Sequence, residues 1–298
     1  LDAFLGQQPQ VSILSHFLKK TMDHAPLALD DAVIVGLDVE WYERGTDDIT
    51  ELGICILDTK NISEEFDILE VIQCMQVFHA RIKENAHMLN TELCPGRPDI
   101  FHFGTTKFVT TEEARQLLFE SFTWREEDGS LRPVIFIGHG VDNDLEQLKQ
   151  HFGIDVAAMG CVKSTIDTQV MAIEAGIRSA GPLISLESLL SGFGIREEYL
   201  HTAGNDVGYA IIAGLLTANL HTTHCILDTH TLQTCIDLLK AQAYHKPKFA
   251  WGTEVFCTRC DAEDHFHLKC RASVHCDICT RDPLLSQHAA THKTEKCL

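Results

Sequence analysis

The chain has 298 residues, of which 45% are hydrophobic, so it can bury the core of one full-size domain with a smaller one beside it. It contains no run of about 18 apolar residues, so we expect no transmembrane helix and no membrane partner. The formal net charge is −19, which argues against tight, general binding of nucleic acid through a basic surface.

The chain divides into three predicted parts. Residues 1–29 are expected to form a helical extension, residues 30–245 one α/β domain, and residues 246–298 a Cys/His module. Pro247 and Gly252 punctuate the second boundary. Because the sequence begins LDAFLGQQPQ without a Met, we expect a fragment or a processed chain, and no targeting signal can be read from it.

The first strand is predicted in VIVGLDVE, where Asp38 and Glu40 are separated by one residue. Side chains at i and i+2 of a strand point to the same face, so the two carboxylates share one patch. They repel each other unless a divalent cation binds between them, which predicts Mg²⁺ or Mn²⁺ with oxygen ligands. The alternative is a polar strand end facing water.

Two aromatic residues, Trp41 and Tyr42, directly follow the acidic pair. Because side chains of a strand alternate between its faces, only one of the two can face the site and stack on a base, and the other packs in the core.

A long region, residues 60–130, follows a second strand in ELGICIL. It contains a third strand in QCMQVFHARI, a Gly/Pro-bearing loop and a helix in TTEEARQLLFESF. Loops this long usually carry function. The alternatives are a surface that covers the core and a surface that forms a homodimer.

Two further motifs follow in order. RPVIFIGH predicts a buried strand and DNDLEQLKQHF a helix, so Asp144 lies in the first helical turn beside the strand's carboxyl end, where ligands collect. His139 beside it is either a satisfied strand-end histidine or a phosphate contact. His201 and Asp206 form H-x4-D at the entrance of a helix through GYAIIAGLLTANL. Each motif alone is common, but three in this order on these elements point to a two-metal nuclease.

Taken together, these motifs resemble the DEDDh exonucleases, a 3′-to-5′ group on the ribonuclease-H-like fold, over about residues 30–240. The resemblance implies an α/β fold with a mixed five-stranded sheet flanked by helices. It implies two Mg²⁺ or Mn²⁺ ions with Asp38, Glu40, Asp144 and Asp206 as ligands, and His201 as the base that takes a proton from the attacking water.

Two positions depart from that family's pattern. Gly140 and Thr202 stand where many members have Asn, which concerns substrate positioning and leaves the metal ligands intact. The resemblance also makes residues 60–130 an enlarged insertion beside the active-site cleft.

The phrases GLDVEW, TELGICILDT, FIGHGVDNDLEQL, DTQVM, SLESLLSGFGI and LHTAGNDVGYA look most like the fungal branch that contains the Argonaute-associated exonuclease of RNA silencing. That branch implies single-stranded RNA as substrate, an Argonaute partner and the nicked passenger strand of a small-RNA duplex as target. It also implies an intracellular protein, cytoplasmic rather than nuclear. The alternatives are an adaptor that binds Argonaute or another partner with weak or lost catalysis, and a DNA-processing exonuclease.

Because the chain is so acidic, its contacts with a nucleic-acid substrate must be local. Arg81, Lys83, Lys107 and Lys163 are candidates for phosphate contacts, or ordinary surface charges.

Six of the 12 cysteines and five of the 17 histidines crowd between Cys257 and Cys297, which predicts structural Zn²⁺. The first predicted set has zinc-knuckle spacing and comprises Cys257, Cys260, His265 and Cys270. The second predicted set comprises Cys276, Cys279, His288 and His292. His267, His275 or Cys297 can substitute, so the pairing stays open.

A module of this size folds on its metal. It can bind RNA, bind protein or brace the larger domain, and its interspersed acidic residues favour the last two roles. A secreted disulfide cluster fits poorly, because the other six cysteines have no pattern and are expected to be reduced. They are Cys55, Cys74, Cys94, Cys161, Cys225 and Cys235.

Overall fold

A computed structural model of the chain describes residues 1–45, 47–220, 229–243 and 250–298. The predicted boundary at 245/246, Pro247 and Cys225 lie outside the described residues. Within the described ranges, no helix is both long enough and apolar enough to cross a lipid bilayer.

Six strands form one sheet in the order β4-β3-β2-β1-β5-β6. In chain order they are β1 (Val33–Trp41), β2 (Ile49–Asp58), β3 (Gln76–Ile82), β4 (Lys107–Val109), β5 (Val134–Gly138) and β6 (Val162–Asp167). The β1/β2 and β2/β3 pairs are antiparallel, and the β1/β5, β5/β6 and β3/β4 pairs are parallel. The predicted α/β class with a mixed, ribonuclease-H-like sheet is confirmed.

The sheet has one strand more than the predicted five, and the addition is β4. It has three residues, too few to show an alternating pattern in the sequence. The strand forms because its backbone pairs with β3 on one side, while Phe108 bridges to Thr253 on the other.

Both faces of the sheet are buried, which explains the nearly continuous apolar run of β1. Val35 and Leu37 point into a cluster completed by residues of α4, and Ile34 points into a second cluster on the opposite face. Asp38 and Glu40 continue the face of Ile34, since alternate residues of a strand share a face.

Within the described residues, α-helices flank this sheet, and the last of them lies in the Cys/His module. They are α1 (Asp2–Leu5), α2 (Gln10–His16), α3 (Ile68–Gln73), α4 (Thr111–Phe122), α5 (Asp142–Gln147), α6 (Thr168–Glu174), α7 (Leu186–Gly192), α8 (Ala203–Asn219), α9 (Thr229–Ala243) and α10 (Asp277–Arg281). α8 is buried along nearly its whole length, because it packs on β1, β2 and β3 and is covered by α2, α6 and α7. The helix that begins at the third motif therefore lies at the centre of the domain.

Residues 1–29 pack into the domain rather than standing apart from it. Ile13 and Leu14 of α2 belong to the same apolar cluster as α8, and the Ser15 hydroxyl donates to the carbonyl of Ala218 at 2.9 Å.

Residues 60–130 likewise contain parts of the fold. The region includes α3, β3, β4 and α4, and only residues 83–106 form a long stretch outside regular elements. This stretch, the 83–106 loop, runs past the site described next.

Candidate functional site

The residues of the first and third motifs meet at the end of β1. Glu40, His201 and Asp206 place their ligand atoms within 4.8 Å of one another. β1 presents Glu40, and the first turn of α8 presents Asp206, because that turn lies directly on β1 and β2. In the sequence, more than 160 positions separate Glu40 from His201 and Asp206, and the fold brings them together.

Asp144 of the second motif joins the same group. One of its carboxylate oxygens accepts a hydrogen bond from the backbone N–H of Val39 at 3.1 Å. Val39 separates Asp38 from Glu40, so this bond holds the Asp144 carboxylate beside the acidic pair. Asp144 is 5% exposed.

The carboxylates of this group repel one another, and within the described residues no salt bridge neutralises their charge. Burial, and to a smaller extent the charge of Glu51, raises the pKa of Asp38 to about 7. Burial and mutual repulsion raise the pKa values of Glu40, Asp144 and Asp206 well above their ordinary range.

One oxygen of the group lacks a partner altogether. Oδ2 of Asp38 is buried and has no hydrogen-bond partner within the described part of the chain. Buried polar atoms nearly always have a partner, so this oxygen calls for an ion or a water. The donor set, all carboxylate oxygens with an imidazole at the rim, fits a hard divalent cation such as Mg²⁺ or Mn²⁺.

His201 is exposed and has a left-handed backbone, with φ of 64°. Such a conformation is uncommon outside glycine and often marks a functional position. The carboxylate of Asp206 stabilises this backbone conformation, because it accepts a hydrogen bond from the backbone N–H of His201, which lies 3.0 and 3.2 Å from its two oxygens. Asp206 therefore also fixes the turn that presents the imidazole of His201.

Asn205, which the sequence reasoning missed, ties this turn to the 83–106 loop. Its side-chain amide donates to the carbonyls of Ile100 at 2.8 Å and Tyr199 at 3.0 Å, and its oxygen accepts the N–H of His102 at 2.8 Å. Asn205 itself is 0% exposed. An amide beside the third-motif Asp was the only signal in the sequence.

Glu43 fixes another part of the 83–106 loop. Its carboxylate accepts hydrogen bonds from four successive backbone N–H groups, those of Thr91, Glu92, Leu93 and Cys94, at 2.7 to 3.4 Å. These bonds, with that of Thr91 the largest contributor, lower the pKa of Glu43 to about 2. The Cys94 thiol lies close enough to the carboxylate of Glu40 to contribute to its raised pKa. The loop therefore borders the acidic group.

The two candidate base-stacking residues differ in their placement. Trp41 packs against the apolar cluster on the face opposite Asp38 and Glu40, so the structure does not bring it to the acidic group. Tyr42 is 8% exposed and offers little ring surface. Nδ1 of His139, at the end of β5, lies 2.7 Å from the hydroxyl of Thr168, and burial lowers the pKa of His139.

The four candidate phosphate-binding cations are engaged within the fold. Lys83 pairs with Glu263 at 2.5 Å, Lys107 with Glu254 at 3.1 Å and Lys163 with Asp2 at 3.3 Å. Arg81 is buried, donates to the carbonyl of Ala86 and lies over the ring of Phe108.

The two departures from the family pattern have local roles. Gly140 has φ of 74°, a conformation that Asn also tolerates, so the exchange keeps the turn. Thr202 is 0% exposed and precedes the first residue of α8 as its N-cap.

The first predicted zinc set is brought together as expected. Cys257, Cys260, His265 and Cys270 place their ligand atoms within 4.8 Å of one another. Sγ of Cys260 lies 3.5 Å from Nε2 of His265. Ligands about 2.3 Å from a tetrahedral Zn²⁺ are about 3.8 Å apart, so this spacing fits zinc.

The second set differs from the prediction in one member. Cys276, Cys279, His292 and Cys297 come together, whereas His288 lies outside the group. Sγ of Cys279 is 3.6 Å from Sγ of Cys297 and 3.7 Å from Nε2 of His292. His288 ends a short 3-10 turn, Ser286–His288, and its Nε2 lies 3.3 Å from the side-chain amide nitrogen of Gln287. Cys297, one of the substitutes that the sequence left open, takes the fourth place because the 3-10 turn at Thr294–Lys296 brings it to the cysteines.

Comparison with known proteins gives relatives of partial length. An uncharacterized nucleolar protein of Schizosaccharomyces pombe is 29% identical over 181 residues, covering 58% of this chain and 63% of that protein. The Saccharomyces cerevisiae protein named "Good for full DBP5 activity protein 2" is 24% identical over 245 residues, covering 76% and 40%. The chain thus spans less than two thirds of the length of these relatives.

Among solved structures, a zinc-bound complex of Escherichia coli exonuclease I with single-stranded DNA has a TM-score of 0.40 and 16% identity, covering 68% of this chain and 45% of that one. The family profile described as "DNA polymerase III subunit epsilon-like, C-terminal domain" (DEDDh_C) matches residues 33–217, which run from the start of β1 to the last turn of α8 and contain all three acidic motifs. This chain belongs to that DEDDh family.

Proposed function

We propose that this protein is a metal-dependent 3′-to-5′ exonuclease that degrades single-stranded nucleic acid. The observation that carries the proposal is the convergence of three separate motifs on one group of buried and partly buried carboxylates, with an exposed histidine at its rim. Membership of the DEDDh family supports the same chemistry.

Each residue has a role that follows from its place. Asp38, Glu40, Asp144 and Asp206 would hold two divalent cations, which supply Lewis-acid stabilisation of the charge that develops on the phosphate. His201, exposed on its fixed turn, accepts the proton of the attacking water. The 83–106 loop borders the acidic group, where it limits access to the end of a single strand.

Within this proposal we assign RNA as the substrate, with the nicked passenger strand of a small-RNA duplex as target and an Argonaute protein as partner. The support is the resemblance of the motif phrases to the fungal RNA-silencing branch. We further propose a cytoplasmic location; the nucleolar name of one relative makes the nucleolus the alternative that imaging would detect.

The test compares matched 5′-labelled single-stranded RNA and DNA oligonucleotides, each with a free or a blocked 3′ end. Mg²⁺ is added or omitted rather than chelated, so that the zinc sites stay loaded. A ladder that shortens from the free 3′ end, requires Mg²⁺ and disappears in Asp38→Asn supports the exonuclease. No ladder from folded, zinc-loaded protein would overturn it in favour of the adaptor, and faster loss of DNA would overturn the RNA assignment.

For the Cys/His module, residues 246–298, we propose that zinc-dependent folding braces the edge of the sheet. Thr253 and Phe108 exchange two backbone hydrogen bonds, at 2.7 and 2.9 Å, so the backbone at Thr253 extends the sheet beyond β4. The ring of Phe256 packs on that of Phe108 with centroids 5.5 Å apart. The module thereby covers an edge strand too short to be stable alone.

Charge pairs reinforce this contact. Lys83 and Lys107, on the domain side, pair with Glu263 and Glu254 on the module side. Inside the module, Asp261 pairs with both Lys293 and Lys296 and so joins the two zinc sets into one unit. Cys270→Ser should raise amide hydrogen exchange in β4 but leave β5 unchanged. Equal exchange in β4 with and without zinc would overturn the brace.

A further inference from the structure

A fifth carboxylate, that of Glu51, lies beside the acidic group. Glu51 of β2 is directly opposite Glu40 of β1 in the antiparallel register. It is 5% exposed, and its charge contributes to the raised pKa values of Asp38, Glu40 and Asp206. Like charges directly opposite in a sheet are destabilising, so a buried glutamate at this position needs a reason.

The contacts of Glu51 lead to the helix that carries the third motif. Oε2 of Glu51 accepts the backbone N–H of Ala203, the first residue of α8, at 3.3 Å. The same oxygen lies 2.9 Å from Nε2 of His79 on β3. Nδ1 of His79 lies 2.9 Å from the hydroxyl of Thr106, so both ring nitrogens are engaged.

Two glycines bring the start of α8 onto the strands at this point. A Cβ on Gly53 would lie 1.8 Å from the carbonyl oxygen of Ala203, and one on Gly204 would lie 2.6 Å from Cβ of His79. Gly53 shares its strand face with Glu51, two residues earlier. The helix entrance is therefore in backbone contact with β2, and Glu51 binds its first N–H at that contact.

We propose that Glu51, held in place by His79, is a positioning residue of the metal site. It fixes the first turn of α8, and with it His201 and Asp206, against the strand that carries Asp38 and Glu40. Its negative charge adds to the attraction for the cations without its being a ligand. The inference rests on the proposed metal-dependent function, and it adds two residues that the three motifs do not include.

The test separates charge from contact. Glu51→Gln removes the charge and keeps a carbonyl oxygen for Ala203. His79→Gln keeps a nitrogen near the position of Nε2, whereas His79→Asn keeps one near Nδ1 and loses the contact with Glu51. Glu197→Gln is the matched control, because the side chain of Glu197 is 8% exposed against 7% for Glu51. Its carboxylate pairs with Lys240 at 2.8 Å and is not among the charges that raise the pKa values of the acidic group.

The readouts are Mn²⁺ affinity by isothermal titration calorimetry, kcat and KM on a labelled oligonucleotide, and the melting temperature without Mn²⁺. Removing an outer partner of a metal site typically costs about 10- to 100-fold in affinity or activity. We expect losses of that size in Mn²⁺ affinity and kcat for Glu51→Gln and His79→Asn, smaller losses for His79→Gln, and none for Glu197→Gln.

Mn²⁺ affinity in Glu51→Gln equal to that of the wild type would overturn the proposal. So would equal losses in the two His79 variants, or losses that only follow the melting temperature. A wild type that binds Mn²⁺ but degrades neither RNA nor DNA would instead refute the exonuclease, while the Mn²⁺ titrations would still decide the role of Glu51.

Discussion

Glu40 and Glu51 face each other directly across the β1/β2 pair, where Glu51 is buried and Glu40 is partly buried. Their opposition places carboxylates from two adjacent strands beside Asp206 at the entrance of α8. A fold that buries so much like charge is less stable without a counterion. The stability of the metal-free protein should therefore be limited by this group of carboxylates.

The first prediction concerns pH. The folded-state pKa of Asp38, about 7, is above its ordinary value of 3.8, so the folded protein keeps a proton that the unfolded chain releases. Between about pH 4 and about pH 7 the folded state binds more protons, and its stability falls as pH rises. Mg²⁺ binds the ionised form, so it should raise the melting temperature more at about pH 8 than at about pH 5.

Asp38→Asn checks this explanation in metal-free protein. Removing the buried charge should raise the melting temperature at about pH 8 by about 2 to 8 °C, while abolishing activity. The measurement is a thermal melt with and without Mg²⁺ across the pH range. A variant that melts at a lower temperature than the wild type at every pH would contradict the predicted destabilisation by the buried charge.

The second prediction concerns His201. His201→Asn keeps the left-handed backbone, which Asn tolerates, and removes the imidazole. We expect kcat to fall about 10²- to 10⁴-fold with an unchanged melting temperature, because the side chain is exposed. His24→Asn is the control, since His24 is also exposed and has φ of 61°. Equal kcat values in the two variants would remove His201 from catalysis.

The sequence predicted the elements that carry the motifs, because their patterns are local. The apolar run of β1 ends at Asp38 and Glu40, and the helix through Tyr209 begins at the third motif, as found. Such periodicities report burial of a face and need no knowledge of the partner.

The features that were missed depend on contacts between distant segments. β4 exists through its pairing with β3 and with Thr253, and no local pattern of three residues reveals it. Glu51 looked like an ordinary polar start of a strand, and its role follows from the register opposite Glu40. Trp41 was ambiguous until the face it occupies was known.

The third prediction concerns Glu43, whose carboxylate binds the backbone of residues 91–94. Glu43→Gln loses the charge that four N–H donors favour, so the loop beside Glu40 should loosen. We expect faster amide hydrogen exchange at residues 91–94 and a higher KM for the oligonucleotide, with little change in melting temperature. Glu92→Gln, at an exposed position in the same loop, should change neither; unaltered exchange in Glu43→Gln would show that the loop is held by other contacts.

The last prediction separates the two versions of the second zinc set. The structure groups Cys297 with Cys276, Cys279 and His292, and leaves His288 outside. Cys297→Ser removes a thiolate and leaves three ligands, so the protein should lose about one Zn²⁺ per chain. His288→Asn should keep its full zinc content, and both are measured by elemental analysis of the purified protein.

Cys270→Ser serves as the matched variant in the first set and should also lose about one Zn²⁺, because each tetrahedral site needs four ligands. Asp261, which lies between Cys260 and His265, pairs with Lys293 and Lys296, the sequence neighbours of His292 and Cys297 in the second set, so emptying either set should loosen the other. Zinc loss in His288→Asn with full retention in Cys297→Ser would restore the H-x3-H assignment. It would also mean that Cys297 is not a ligand of the second zinc site.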